Sequence, residues 1–334
     1  MTRPPDHPSV PEGRIGVLLI NLGTPDAPEV RAVRRYLAEF LSDPRVIEIH
    51  PLAWKPILHG IVLRTRPRRS AEAYNQIWTN EGSPLRAIAR RQAEALRSRL
   101  PQVSVHYAMR YGNPGIAAAL DNMVSEGCAR ILAAPLYPQY SAATTATAND
   151  AVFGALARMR WQPALRVLPP YYDDPLYIGA LATNLKRQLA ALDFEPDRLL
   201  LSFHGMPLRT LALGDPYHCH CQKTARLLSN ALARQVDVAF QSKFGRAKWL
   251  EPATDATLAG YPHKGVKRLA IAAPGFSADC IETLEELGIR GRHSFEQSGG
   301  EDFALLDCLN DSAESIDMIT KLISRELAGW LYEE

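Results

Sequence analysis

Short apolar runs, each closed by a turn and followed by an amphipathic stretch, recur in both halves of this 334-residue chain. That repetition leaves few folds open. Residues 15–20 are continuously apolar and end at Asn21-Leu22-Gly23-Thr24-Pro25. A run this short reads as a strand covered on both faces, the kind found in parallel sheets. Residues 28–41 then carry Val30, Val33, Leu37 and Phe40 at helical spacing. A second strand is predicted over 103–109 and a helix over 115–127, with Ile116, Leu120, Met123 and Val124 as its stripe. A third strand over 131–136 ends at Tyr137-Pro138-Gln139-Tyr140-Ser141, which completes a strand–helix–strand unit. The second half repeats the pattern, with strands over 199–203, 236–241 and 269–273 and helices over 221–233 and 278–287.

The expected class is therefore α/β: two Rossmann-like domains, each a parallel sheet flanked by helices, with a cleft between them. The first spans 14–168 and takes back the C-terminal residues 312–334, whose amphipathic segment packs on it. The second spans 169–311, with Pro169-Pro170 as the hinge. Ligands in such sheets bind beyond the C-terminal ends of the strands, where the informative turns lie.

Bulk properties exclude several roles. A net charge of +2 does not suit a nucleic-acid surface. No apolar stretch approaches the ~20 residues that span a bilayer. Residues 1–13 are polar and Pro-rich, without the apolar region of a secretory signal, so they read as a loose tail and the expected address is the cytoplasm. Cys128, Cys219, Cys221, Cys280 and Cys308 are too few and too scattered for a disulfide framework.

Two segments carry the chemistry. Leu199-Leu200-Leu201-Ser202-Phe203-His204-Gly205 delivers an imidazole at a strand end, and Pro274-Gly275-Phe276-Ser277-Ala278-Asp279-Cys280-Ile281-Glu282 delivers a carboxylate. A neutral imidazole accepts a proton or binds a metal, though a histidine there could equally cap a helix. Glu286 follows Glu282 by four residues, so on a regular helix the two acids share a face, with Asp279 on a neighbouring strip. Acids in a first helical turn also simply suit the helix dipole. Arg110-Tyr111 and residues 137–141 could line a cleft or form an interdomain contact. Residues 52–63 are apolar and are followed by Arg64, Arg66, Arg68 and Arg69, which reads as a greasy lip with a basic edge or as a buried segment. Cys219-His220-Cys221 places thiols and imidazole together, but without the usual metal-binding spacing.

Taken in order, these motifs resemble the ferrochelatase family in its proteobacterial form. The carrying stretches are Asn21-Leu22-Gly23-Thr24-Pro25, Gly82-Ser83-Pro84-Leu85, Met109-Arg110-Tyr111, residues 137–141, His204-Gly205-Met206-Pro207, Gly214-Asp215-Pro216-Tyr217, residues 241–246, Trp249-Leu250-Glu251-Pro252 and residues 274–286. The resemblance implies an enzyme that inserts Fe²⁺ into protoporphyrin IX, releasing two protons, as the last step of haem synthesis. It places the essential histidine on His204 and the essential glutamate on Glu282, with Glu286 beside them on the path of metal or protons. It places Leu22, Arg110, Tyr111, Trp249 and Phe276 around the macrocycle. No resident cofactor is implied, since iron is the substrate. Animal members hold a [2Fe–2S] cluster on a C-terminal extension and one internal cysteine. Here the chain ends at Glu334 and the internal position is Ala142, so that cluster is not expected. Cys219 and Cys221 are the thiols a bacterial internal cluster would use. Cys280 stands where many relatives have histidine. Peripheral contact with the inner face of the cell membrane through residues 52–69 is a further expectation. Rival readings are a cobalt chelatase for a more polar ring, and a porphyrin carrier without turnover.

Overall fold

The computed structural model describes residue 6, residues 13–245 and residues 247–331; the N-terminal tail lies almost wholly outside them. In chain order the first half runs β1 (Arg14–Thr24), α1 (Val30–Phe40), α2 (Pro51–Ile57), α3 (Leu63–Ile77), α4 (Pro84–Arg99), β2 (Val103–Gly112), α5 (Ile116–Ser125), β3 (Cys128–Pro135), α6 (Thr147–Leu156) and β4 (Ala164–Val167). The second runs α7 (Pro175–Ala190), β5 (Arg198–His204), α8 (Leu208–Ala212), α9 (Tyr217–Leu232), β6 (Asp237–Gln241), α10 (Thr254–Gly260), β7 (Arg268–Ala272), α11 (Ile281–Thr283), α12 (Arg292–Gln297), β8 (Asp302–Leu306) and α13 (Ala313–Glu326). Wider π-helical turns join α2 to α3 (Leu58–Val62), precede α6 (Ala142–Ala146) and join α11 to α12 (Leu284–Gly291).

Each half forms one four-stranded parallel sheet, and the strand orders are equivalent: β2-β1-β3-β4 and β6-β5-β7-β8. Because side chains alternate along a strand, each continuous apolar run feeds two cores. Val17 and Leu19 of β1 face one side, while Leu18 and Ile20 face α5 and α6 on the other. Leu199, Leu201 and Phe203 of β5 join Val17 and Leu19 in one cluster, with α4, α7, α9 and α13 supplying the side chains between. The largest core is thus common to both halves. Truncating Leu19 or Leu201 to Ala costs about 2–5 kcal/mol. The final helix α13 packs on α4 and β3 of the first half, and also on α7.

Two differences from the sequence reading bear on function. First, β1 does not turn at Asn21 but stays paired with β2 through Gly23↔Tyr111 and Thr24↔Gly112. Gly23 makes this register possible: its φ is +122° and a Cβ there would lie 1.8 Å from the Tyr111 carbonyl oxygen. Second, the expected helix over 278–287 is a single α turn, Ile281–Thr283, that widens at Leu284. A π segment changes the angular step between residues, so Glu282 and Glu286 do not form the regular i,i+4 stripe that uniform helical spacing implied. Asp279 lies before the helix and is buried.

Candidate active site

The C-terminal ends of β5, β6 and β7 converge on the segment that carries Glu282. His204 is the last residue of β5 and is half-buried. Its Nδ1 lies 2.7 Å from the Gly205 carbonyl oxygen. A carbonyl only accepts, so Nδ1 carries a proton, and in the neutral imidazole Nε2 presents its lone pair. Gly205 leaves no room for a side chain, since a Cβ would sit 2.5 Å from the Gln241 carbonyl oxygen and 3.2 Å from the Trp249 ring. Trp249, bridged to Pro207, therefore closes over the backbone next to the imidazole. Phe244 packs on Trp249 at 5.1 Å, and Arg66 of α3 reaches across to sit 5.6 Å from the Phe244 ring centre.

Gln241, at the end of β6, joins the imidazole to the acid segment. It pairs in register with His204, and its backbone carbonyl accepts the Gly205 N–H at 2.7 Å. Its side chain accepts from Ser202 and donates to the Glu282 carbonyl at 2.7 Å. Glu282 is half-buried and its charge reaches into the first half. Burial raises the Tyr74 and Tyr36 hydroxyls well above their usual range, and the Glu282 carboxylate raises both further. Burial does the same to the Cys280 thiol, again reinforced by Glu282. Glu286 is turned to β6, where it accepts from the Ser242 N–H at 2.7 Å and the Ser242 hydroxyl at 2.6 Å. It borders a polar pocket of about 270 Å³ with Gln241, Lys243, Asp255 and Arg290. No three donors among His, Cys, Asp and Glu form a metal-binding group among the described residues. His204, Glu282 and Glu286 are therefore neighbours around Gln241 and Ser242, not a preformed chelating triad.

The opposing rim belongs to the first sheet. Leu22 packs against the buried cluster of Val33, Tyr36, Leu37 and Tyr74, and Ile281 and Leu284 of the acid segment pack against the same cluster. Arg110 and Tyr111, at the end of β2, are both engaged by protein partners. Tyr111 is fully buried, with its hydroxyl donating to Asp43 at 2.8 Å. Arg110 donates to Asp43 and to the Thr147 carbonyl, and its guanidinium lies 4.3 Å from the Tyr111 ring centre. Both heads are taken by Asp43 and Thr147, residues the motifs did not single out, and they brace the rim from behind. Phe276 packs with Leu85 and Ile88 of α4 and with Cys280, apart from Trp249.

Cys219 and Cys221 lie inside α9, which begins four residues before the predicted start. Positions i and i+2 face different sides of a helix. Cys219 is exposed and Cys221 is buried, its thiol pushed up by burial. This pair does not fit an iron–sulfur cluster, and no step is assigned to one.

Two parallel sheets of equivalent order with polar groups gathered at their C-terminal rims define a chelatase-type fold. SirB from Bacillus subtilis with Fe³⁺ is similar at a TM-score of 0.56 and 12% identity, covering 95% of this chain and 96% of its own. CbiX, described as the terminal enzyme of sirohaem biosynthesis in denitrifying bacteria, is similar at 0.51 and 16%, covering 94% and 100%. In sequence, residues 14–327 match the ferrochelatase family model. The ferrochelatase of Rhizobium meliloti strain 1021 is 54% identical over 334 residues, and that of Agrobacterium fabrum strain C58 51% over 336, each covering 98% of both chains. The chain belongs to the ferrochelatase family. It is a metal chelatase, and its reaction is iron insertion into protoporphyrin, the closing step of haem synthesis.

Proposed function

We propose that His204 removes the pyrrole protons of protoporphyrin IX through Nε2, while Glu282 with Glu286 behind it guides Fe²⁺ or the departing protons. The carrying observation is the His204 Nδ1 contact with the Gly205 carbonyl, which leaves Nε2 as the free ring nitrogen at a strand end whose next residue packs under Trp249. A base of this kind contributes about 10²–10⁴ in rate. Asn21 Nδ2, Tyr137 Oη, Thr145 Oγ1 and Trp249 Nε1 are buried and lack hydrogen-bond partners among the described residues. In this reading Leu22, Trp249 and Phe276 shape the apolar wall, with residues 14–168 and 312–334 forming one side of the cleft and 169–311 the other.

Loss of free-porphyrin fluorescence on adding Fe²⁺ follows the reaction directly. The wild-type chain quenches the emission through turnover, while His204→Ala binds porphyrin without metallating it. Metallation by that variant would remove His204 from the chemistry.

Residues 52–69 support peripheral membrane contact from the cytoplasmic side. Leu52, Ile57 and Ile61 are exposed, at 81%, 43% and 61%, next to exposed Arg64, Arg66, Arg68 and Arg69. Among the described residues no helix is long and apolar enough to cross a membrane. The reading requires co-sedimentation with anionic vesicles that Leu52→Asp weakens; equal co-sedimentation of the two proteins would refute it.

A further inference from the structure

We propose that Asn310 is a positioning residue for Glu282, holding the turn from which the Glu282 helix starts. The inference rests on the assignment of Glu282 above. Asn310 lies in the connection between β8 and α13, far from the acid in sequence. Its amide grips Asp279 at two points. The Asp279 N–H donates to Asn310 Oδ1 at 2.8 Å, and Asn310 Nδ2 donates to Asp279 Oδ2 at 2.6 Å. The other carboxylate oxygen of Asp279 accepts the Thr283 hydroxyl at 2.8 Å, and Thr283 Oγ1 accepts the Cys280 N–H at 3.0 Å. Glu282 sits between Cys280 and Thr283. The chain of bonds thus runs from Asn310 through Asp279 to Thr283, which follows the acid, and on to Cys280, two residues before it, and Asp279, Cys280 and Thr283 are all buried.

Asn310 is itself over-determined. Its N–H donates to the Ser277 carbonyl, and its carbonyl accepts from Gln92 of α4 at 2.7 Å and Ser315 of α13 at 2.8 Å. Its φ of +50° is a conformation that Asn and Gly adopt readily. It therefore ties the Glu282 turn to α4, in the first half, and to the helix that returns to it. A group of this kind matters because about 1 Å of misplacement at a reacting centre costs up to 10²-fold in rate.

The test compares four variants with wild type by steady-state metallation kinetics: Asn310→Gly, Asn310→Asp, the double exchange Asn310→Asp with Asp279→Asn, and Glu282→Gln. Asn310→Gly keeps the backbone conformation and removes the grip; kcat should fall about tenfold or more while the porphyrin KM stays within twofold. Asn310→Asp sets two carboxylates face to face and should be at least as slow. The double exchange restores an amide–carboxylate pair and should return kcat to within about threefold of wild type. The proposal is overturned if Asn310→Gly keeps wild-type kcat, or if the double exchange is no faster than Asn310→Asp alone. Were Asn310→Gly not to fold, that second comparison decides by itself. Glu282→Gln separates the two claims: full kcat there removes the acid from the chemistry, whereas a slow Glu282→Gln beside a fast Asn310→Gly removes only the positioning role.

Discussion

The rims of the two sheets come from strands of equivalent order but are finished in opposite ways. At the first rim, Asp43 gathers Arg110, Tyr111 and Thr147, and every head group is paired in a buried knot. At the second, His204 ends β5 with Nδ1 on the Gly205 carbonyl, and Glu282 is held through its backbone carbonyl by Gln241 while its carboxylate lies against the buried Cys280 thiol. The first rim is braced by a carboxylate knot; the second carries the groups to which the proposed chemistry is assigned. A locked wall opposite a reactive one can press a flat substrate toward the base without itself giving way.

Substitutions should separate the two rims. The largest effect is on rate. His204→Ala should lower kcat about 10³-fold while leaving Tm within a degree or two, as measured by metallation and thermal melts. An equal loss of stability would mean that His204 is part of the scaffold. Asp43→Ala should do the reverse. It strands the Arg110 guanidinium and the Tyr111 hydroxyl and should cost about 3 kcal/mol of stability by denaturant titration, with kcat within about threefold at low temperature. A collapse of kcat without loss of stability would make the first rim part of the chemistry. Glu282→Gln should reduce kcat about 10²-fold with little change in porphyrin affinity; a loss confined to affinity would place Glu282 in binding. Cys219→Ser, on the outer face of α9, should change stability by less than about 0.5 kcal/mol and leave the visible absorption spectrum unaltered.

The first rim also carries a pH signature. Burial pushes the Asp43 carboxyl upward, but hydrogen bonds from Thr147, the Arg45 N–H and Tyr111, together with the Arg110 charge, outweigh it, and the net shift is downward. A carboxyl lowered in the folded state stabilises the fold fully above its unfolded value of ~3.9, and that support is lost as pH falls through the lower native value. Acid unfolding of Asp43→Ala should therefore be flatter than that of wild type below about pH 4.

How much of this was legible in the sequence differs by feature. Largely apolar runs such as residues 15–20 and 199–203 announce buried parallel strands, because a strand covered on both faces shows no polar alternation. His204 was legible because it ends one of them. Asp43, Gln241 and Asn310 were not: each acts through a partner tens to more than a hundred residues away, and no local period marks a long-range hydrogen bond. Gln241 had a weak signal, a polar residue terminating an apolar strand. The π turn at Leu284 was hidden for a different reason. Its composition is ordinary for an α-helix, and no local pattern marks the change to wider turns.

The hydrophobic cluster shared by β1 and β5 has a further consequence. Two lobes that merely abut can swing like the covers of a book, but lobes fused through common aliphatic side chains cannot part without wetting their own interior. Porphyrin must therefore enter and haem must leave by rearrangement of the margins alone, and fragments severed near residue 170 should be insoluble apart rather than two small working proteins.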